Sequence, residues 1–370
     1  MTPADIARQR AAVQGLSVPR ADSPQKLVAW LGALQAQEYA LSKWSVAQRI
    51  AGGRLRLVEA ALRRGTILRT HVLRPTWHLV PRDDLRWMQR LTAPRVRALL
   101  ACNDRRNGIS AEMIASSTRA AAAAIARRGH LTRAELTEVL AATGIRVNPW
   151  LVSQLLIHAE LDAVLCSGVP RERQQTYALV EERAPRPRVL DGDDALAELA
   201  LRYFRSRGPA TAKDFRWWSG LDAASVSRAV DALGRRVESW RMGDRVYLSV
   251  SQPAPEPPRL SAAVVQPYDE IAVAYSESRD VIDPRGAARR KGWGLLVRAV
   301  MLDGMLAARW RMEGTARSSE VRLEPLRRLT AAERAAVDRA VAAFAAATSP
   351  DADRTDPGPS RWRSTRRRSH

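Results

Sequence analysis

Residues 66–80 read Thr66-Ile67-Leu68-Arg69-Thr70-His71-Val72-Leu73-Arg74-Pro75-Thr76-Trp77-His78-Leu79-Val80. Thr66 to His71 and Thr76 to Val80 each alternate like a strand, and Leu73-Arg74-Pro75 breaks the run, so the stretch predicts a two-stranded ribbon. Upstream, Thr2 and Pro3 start a helix over 3–14. Ser23-Pro24 opens a second helix, with Leu27, Val28, Trp30, Leu31 and Leu34 at helical spacing. A third runs from Leu57 to Arg64, after Gly52-Gly53. Three helices followed by a ribbon form a winged-helix pattern, and the second helix runs into Leu34-Gln35-Ala36-Gln37-Glu38, just ahead of Trp44 and Arg49.

The pattern returns twice. After a connecting helix from Asp83, an Ala-rich helix over 110–128 precedes the helix Leu131 to Leu140, which Thr132 and Glu135 open as a capping box. Asn148 caps a helix from Pro149 to Glu160, and Leu161 to Cys166 pairs with Gln175 to Val180. Beyond the spacer 183–188, helices at Ala195 to Ser206, Ala212 to Trp218 and Ala223 to Leu233 lead to a hairpin over Gly243-Asp244. Arg128-Gly-His-Leu-Thr132 and Arg207-Gly-Pro-Ala-Thr211 mark a weak repeat of about 80 residues. A Pro-rich linker, 252–258, then precedes short strands at Ala262 to Gln266, Ile271 to Tyr275, Gly294 to Met301, Gly304 to Arg311 and Glu320 to Leu323, with Asp303-Gly304 as a hairpin turn. A helix from Ala331 to Ala346 closes the folded part.

The fold class expected is α+β, mainly α, with three tandem winged helix-turn-helix units and a C-terminal β-rich, barrel-like domain. The boundaries expected are 1–82, 83–182, 189–250 and 260–348, with a disordered basic tail over 351–370.

Sixty basic against 39 acidic side chains give a net charge of +21, a potential that draws a polyanion, so nucleic acid is the leading partner. The plain alternative is an Arg-rich solvated surface. Cys102 and Cys166 have no CxxC partner, which supports neither a disulfide framework nor a zinc site and suits a reducing cytoplasm. The N-terminus lacks a signal pattern and no apolar run approaches the ~18 residues of a membrane span. The chain therefore reads as cytoplasmic, reaching the nucleoid through DNA, with no membrane partner. GxGxxG, P-loop, HExxH and GxSxG motifs are absent. His71 and His78 have no third ligand at metal-binding spacing, so neither metal nor cofactor is expected. In the later units the side chains expected to face a duplex are Ser153, Gln154 and His158, then Ser225, Ser227 and Arg228.

Gln35-Ala36-Gln37 with Trp44 and Arg49, then Arg69-Thr-His-Val-Leu-Arg-Pro-Thr-Trp-His-Leu-Val80, resemble the winged-helix DNA glycosylases of the AlkZ/YcaQ type. So do Arg202-Tyr-Phe204, Gly208-Pro-Ala-Thr211, Asp214-Phe-Arg-Trp-Trp-Ser219 and Gln266-Pro-Tyr-Asp-Glu270. The resemblance covers about residues 3 to 348. It implies tandem winged helices in a C shape and a Gln-apolar-Gln/Asp catalytic motif that falls on Gln35 and Gln37. The activity implied is repair of bulky alkylation damage and crosslinks in double-stranded DNA.

An N7- or N3-alkylated purine is cationic and leaves readily, so a water placed at C1′ and an oxocarbenium stabilised by oriented amides suffice. Gln35 and Gln37 are expected to place that water, and His71, Arg74, Thr76 and His78 to contact the lesion or its phosphates. The two glutamines lie about 200° apart on an ideal helix, so they converge only if the helix ends or bends there. Simple capping of the helix end is the competing role. Lys43 is the only lysine near the motif, so a monofunctional, monomeric enzyme without a Schiff-base step is expected. A noncatalytic winged-helix DNA binder or regulator, dimeric and sequence-selective, is the rival. Structural roles are expected for Glu38, as an ion-pair partner, for Asp269-Glu270, as a turn, and for Trp217-Trp218, as core plus rim. Pro75 stands where many members have glycine, and a stiffer ribbon bears on which lesion fits.

Overall fold

The computed structural model describes residues 1–171, 174–250, 258–315 and 318–348. Most of the Pro-rich linker and the basic tail lie outside the described residues.

One topology occurs three times. In the first unit the helix Pro24–Leu31, the short strand Leu34–Gln35, the helices Tyr39–Ala47 and Leu55–Arg64, and the ribbon Ile67–Val72 with Arg74–Pro81 follow in order. The short strand pairs with the second ribbon strand, which pairs with the first. The second unit repeats this with helix Ala111–Arg128, strand Leu131–Thr132, helices Arg133–Ala141 and Pro149–Leu161, and strands Leu165–Ser167 and Thr176–Leu179. In the third, between helices Gly192–Arg207 and Ala212–Ser219, the short strand shrinks to one bridge, Ala210 to Leu248. Helix Ala223–Asp231 and the hairpin Val237–Met242 with Arg245–Val250 complete it. The same local chemistry starts the second helix of the later units. Thr132 with Glu135 and Thr211 with Asp214 form capping boxes that satisfy the first free N–H groups.

The first unit departs from the sequence reading at the motif. Its opening helix stops at Gly32, which takes φ 75°, so Gln35 is extended rather than helical. The helix Tyr39–Ala47 supplies the member expected from residues 3–14. Helix Pro3–Val13 instead packs Ile6 and Ala7 against Tyr247 of the third unit and Val281. The long helix Leu85–Arg106 links the first two units. The main core joins the first ribbon (Leu68, Val72, Leu73, Val80) to Trp87 and Met88 and to Tyr203, Phe204, Phe215 and Trp218 of the third unit. Each such side chain contributes about 1.5–3 kcal/mol when fully buried.

The C-terminal region is not barrel-like. Among the described residues its strands, Ala262–Val265, Ala299–Leu302, Met305–Thr315 and Ser318–Pro325, form one antiparallel sheet in that spatial order. The first and last strands each have a single neighbour, so the sheet stays open. Residues expected as strand from Ile271 form the short helix Glu270–Val273, because the Asp269 carboxylate caps it at the Ile271 N–H (3.1 Å). The expected Asp303-Gly304 turn is present, with φ 50° and 75° at its two residues. Helix Ala331–Thr348 covers one face, where Phe344 meets Trp310 (ring centroids 4.8 Å) and Trp44 of the first unit (5.5 Å). No helix among the described residues is long and apolar enough to cross a membrane.

Candidate active site

The short strand Leu34–Gln35 lies along the ribbon with Gln35 opposite His78 and Leu34 opposite Leu79. The Ala36 N–H continues the ladder to the Trp77 carbonyl at 2.7 Å. Side chains alternate along a strand and directly opposed residues share a face, so Gln35, His78, Thr76 and Arg74 lie on one side of this sheet. His71 pairs with Trp77 and lies on the other side.

A cavity of about 620 Å³ opens on the Gln35 face. Gln35, Arg74, Pro75 and Thr76 form one wall, and Arg95 and Leu99 of the long helix a second. Lys213, Arg216 and Trp217 of the third unit, with Tyr268 and Val273 beyond it, close the rest. The third unit reaches the ribbon closely because Gly220 ends its helix in the left-handed region, φ 71°. A Cβ there would come within 2.1 Å of the Leu73 carbonyl oxygen.

Gln35 is buried and held at three points. Its Oε1 accepts from Arg74 Nη2 at 2.7 Å, and a guanidinium only donates, so this contact fixes which end of the amide is oxygen. Its backbone N–H donates to Glu270 Oε1 at 2.8 Å, and its carbonyl accepts from Gln266 Nε2 at 3.4 Å. Glu270, fully buried, also accepts from Arg207 Nη2 (2.6 Å), Arg207 Nε (2.9 Å) and the Trp218 indole (3.0 Å). Arg207 reaches back to the Leu31 and Ala33 carbonyls at 2.6 and 2.7 Å. Beside it, Asp269 accepts from Arg49 Nη1 (3.1 Å) and Ser45 Oγ (2.9 Å). The acidic pair expected as a turn is thus two buried ion pairs, although Asp269 also caps a helix. Such pairs are retained at a desolvation cost, so breaking one strands a buried charge.

Gln37 is exposed and lies outside the cavity lining, and its Oε1 accepts from the Trp77 N–H at 3.4 Å. Burial pushes the Arg74 guanidinium down to about 10, partly offset by Glu270, which leaves it charged at neutral pH. His78 has no exposed surface and its Nδ1 sits 2.9 Å from the Thr76 carbonyl. That oxygen can only accept, so Nδ1 carries the proton and Nε2 is a bare acceptor without a partner. Burial first, then the Arg74 cation, holds His78 well below the usual histidine range, so it is neutral. Arg74 Nε and Thr76 Oγ1 also lack partners.

His71 is buried away from the cavity, with its N–H (2.9 Å) and ring Nδ1 both on Glu160. Gln154 is half-buried on the helix Pro149–Leu161, and His158, expected to face outward, is buried against Asp104 at 3.0 Å. Arg228 is exposed and pairs loosely with Asp193 at 3.4 Å. Glu38 pairs with Arg298 at 3.0 Å, Lys43 pairs with Glu59, and Trp217 is rim where Trp218 is core.

Sequence reasoning missed Arg95, Lys213, Arg216 and Tyr268 as cavity residues and Glu270 as the anchor of Gln35. An adjacent acidic pair in so basic a chain was the available signal, since paired carboxylates attract the buried arginines of a cation-rich chain.

A search of curated protein sequences returns no match. Among solved structures, Streptomyces sahachiroi DNA glycosylase AlkZ shares this fold, with a TM-score of 0.76 at 21% identity, covering 94% of this chain and 97% of that one. The family model for DNA glycosylase AlkZ-like proteins matches residues 28–347, which span the three winged helices, the cavity and the open sheet. The chain accordingly belongs to the AlkZ-like DNA glycosylase family, a family of DNA-binding, repair-associated enzymes.

Proposed function

We propose that the protein is a monofunctional DNA glycosylase that hydrolyses the N-glycosidic bond of N7- or N3-alkylated purines, bulky and crosslinked adducts included, in double-stranded DNA. The observation that carries this reading is Gln35. Its amide oxygen is oriented by Arg74 in a cavity wall, while its backbone is pinned on buried Glu270. One lone pair of Oε1 is taken by Arg74 and the other is free to accept from a water.

In this reading Gln35, with Gln37 at the outer edge, aims that water at C1′. The water oxygen bonds to C1′ as the bond to the purine nitrogen breaks. The bonding electrons neutralise the cationic base, and the proton of the attacking water passes to solvent. Charge builds on the sugar as an oxocarbenium, which amide dipoles stabilise without reorganising. Trp217 and Tyr268 place aromatic rings in the cavity lining, where a purine base can pack. Arg95, Lys213 and Arg216 suit the flanking phosphates, as do exposed Arg228 and half-buried Gln154 farther along the duplex. Arg74 and Thr76 belong to the cavity side of this interface, and neutral His78 lies behind it. Lys43, tied to Glu59, offers no free amine for a lyase step, and the reading takes the protein as a monomer in the cytoplasm.

The test is release of N7-methylguanine from methylated duplex DNA. The wild type should release it, and Gln35→Ala should slow release by about 10²-fold, the usual cost of losing one oriented dipole at a reacting centre. Release undiminished in both Gln35→Ala and Gln37→Ala rejects the assignment.

A further inference from the structure

The turn between the two glutamines is held from behind by the second winged helix. Glu160, on the helix Pro149–Leu161, is buried and accepts both from the His71 N–H and at the His71 ring. The His71 ring lies against Trp77, with centroids 4.5 Å apart. The Trp77 peptide in turn fixes the turn, donating its N–H to Gln37 Oε1 (3.4 Å) and accepting the Ala36 N–H (2.7 Å). A second path runs beside the first. Gln175, just ahead of the second unit's strand Thr176–Leu179, accepts from Arg69, whose Nε donates to the Ala36 carbonyl at 3.0 Å. The Arg69 guanidinium lies over the Trp77 ring at 4.2 Å, and its backbone N–H donates to Ser167 Oγ at 2.8 Å.

The Ala36 N–H stays in the first unit's own ladder, on the Trp77 carbonyl, while the Ala36 carbonyl is held by Arg69, whose other contacts, to Gln175 and Ser167, lie in the second unit. The contacts of Glu160 with His71 and of Gln175 with Arg69 are not part of the first unit's own sheet, whose ladder runs through Leu34, Gln35, the Ala36 N–H and the ribbon. A carboxylate so deeply buried costs desolvation unless paired, and Glu160 commits its Oε2 to one histidine of another unit, at both the backbone N–H and the ring. We infer that Glu160 is a positioning residue for the Gln35–Gln37 turn, acting through His71 and Trp77, with Gln175 and Arg69 as the parallel support. The same helix carries Gln154, so engagement of a duplex by the second unit and the placement of the glutamines share one rigid element.

The inference rests on the glycosylase reading for its catalytic consequence and on geometry alone for its mechanical one, so two readouts are used on the full chain. Glu160→Ala should lower kcat for N7-methylguanine release by about tenfold or more, a misplacement effect, with KM and duplex affinity changed less than twofold. Glu160→Gln, which keeps an acceptor for the His71 N–H, should recover part of that loss. Amide hydrogen exchange over residues 35–38 should rise by about tenfold in Glu160→Ala and in Gln175→Ala, with exchange in helix Pro24–Leu31 unchanged. If the wild type releases no base but exchange rises in this pattern, the glycosylase reading fails and the positioning role stands. Unchanged exchange over 35–38, or a rise spread equally over the first unit, overturns the positioning role. Should Glu160→Ala fail to fold, Glu160→Gln and Gln175→Ala decide the matter by the same two readouts.

Discussion

The first and third winged helices share a topology and differ in what surrounds it. In the first, every residue of the ribbon strand Ile67–Val72 is buried, and the short strand carries Gln35 on the wall of a cavity. In the third, the hairpin strand Val237–Met242 has no fully buried residue and the short strand is reduced to one bridge. The first unit's ribbon is enclosed by the long helix, the second unit and the third, while the third's hairpin is half open. A winged helix is thus used here in two ways. Enclosure places polar side chains of one copy on a cavity wall, and the other copy keeps its hairpin half open.

This contrast can be broken most severely at Glu270. Glu270→Ala leaves Arg207 buried without its counter-ion and Gln35 without its backbone anchor, and should cost about 3–5 kcal/mol in denaturant unfolding. A loss under about 1 kcal/mol would mean that the third unit and the first are not coupled through this pair. His78 sharpens the contrast on the acid side. Burial holds its folded pKa well below the usual histidine value, so its contribution is complete above the unfolded pKa and is lost as pH falls. His78→Phe should lose less stability than wild type as pH falls from 7 to 5, and parallel curves would show that folding does not shift the titration of His78. The smallest effect belongs to the exposed unit. Arg228→Ala should change stability by less than about 0.5 kcal/mol while reducing the salt dependence of duplex binding by about one counter-ion. An unchanged salt slope would remove Arg228 from the interface.

The repeated topology was legible because its signals are local. Capping boxes at Thr132 and Thr211, the caps Asn148 and Asp222, and glycine-containing turns sit where each helix or hairpin must begin or end. The first unit was misread where local and tertiary signals disagree. Leu34 continues the apolar spacing of the preceding helix, yet Gly32 turns the chain left-handed and the ribbon captures Leu34 and Gln35 as a strand. The sequence singles out Gln35 but not the carboxylate that anchors its backbone. The separation between Gln35 and Glu270, and between Arg49 and Asp269, exceeds 200 residues, and no periodicity carries information over that distance. The open sheet was misread for a similar reason. A count of short strands does not reveal whether the first and last of them meet.

The arginines that join the units have a consequence for how such a chain can change. Arg207 satisfies two carbonyls of the first unit and a carboxylate of the C-terminal region with one planar group. Lysine, with one ammonium, has no such fork. Three copies of one topology invite the thought of interchangeable cassettes. Yet a foreign first unit grafted at residues 24–81 would arrive without Arg49 for Asp269, without carbonyls registered to Arg207, and without His71 for Glu160. Units that share a topology are here parts fitted to their neighbours, so exchange among them is closed while single-residue change on the exposed third hairpin stays open.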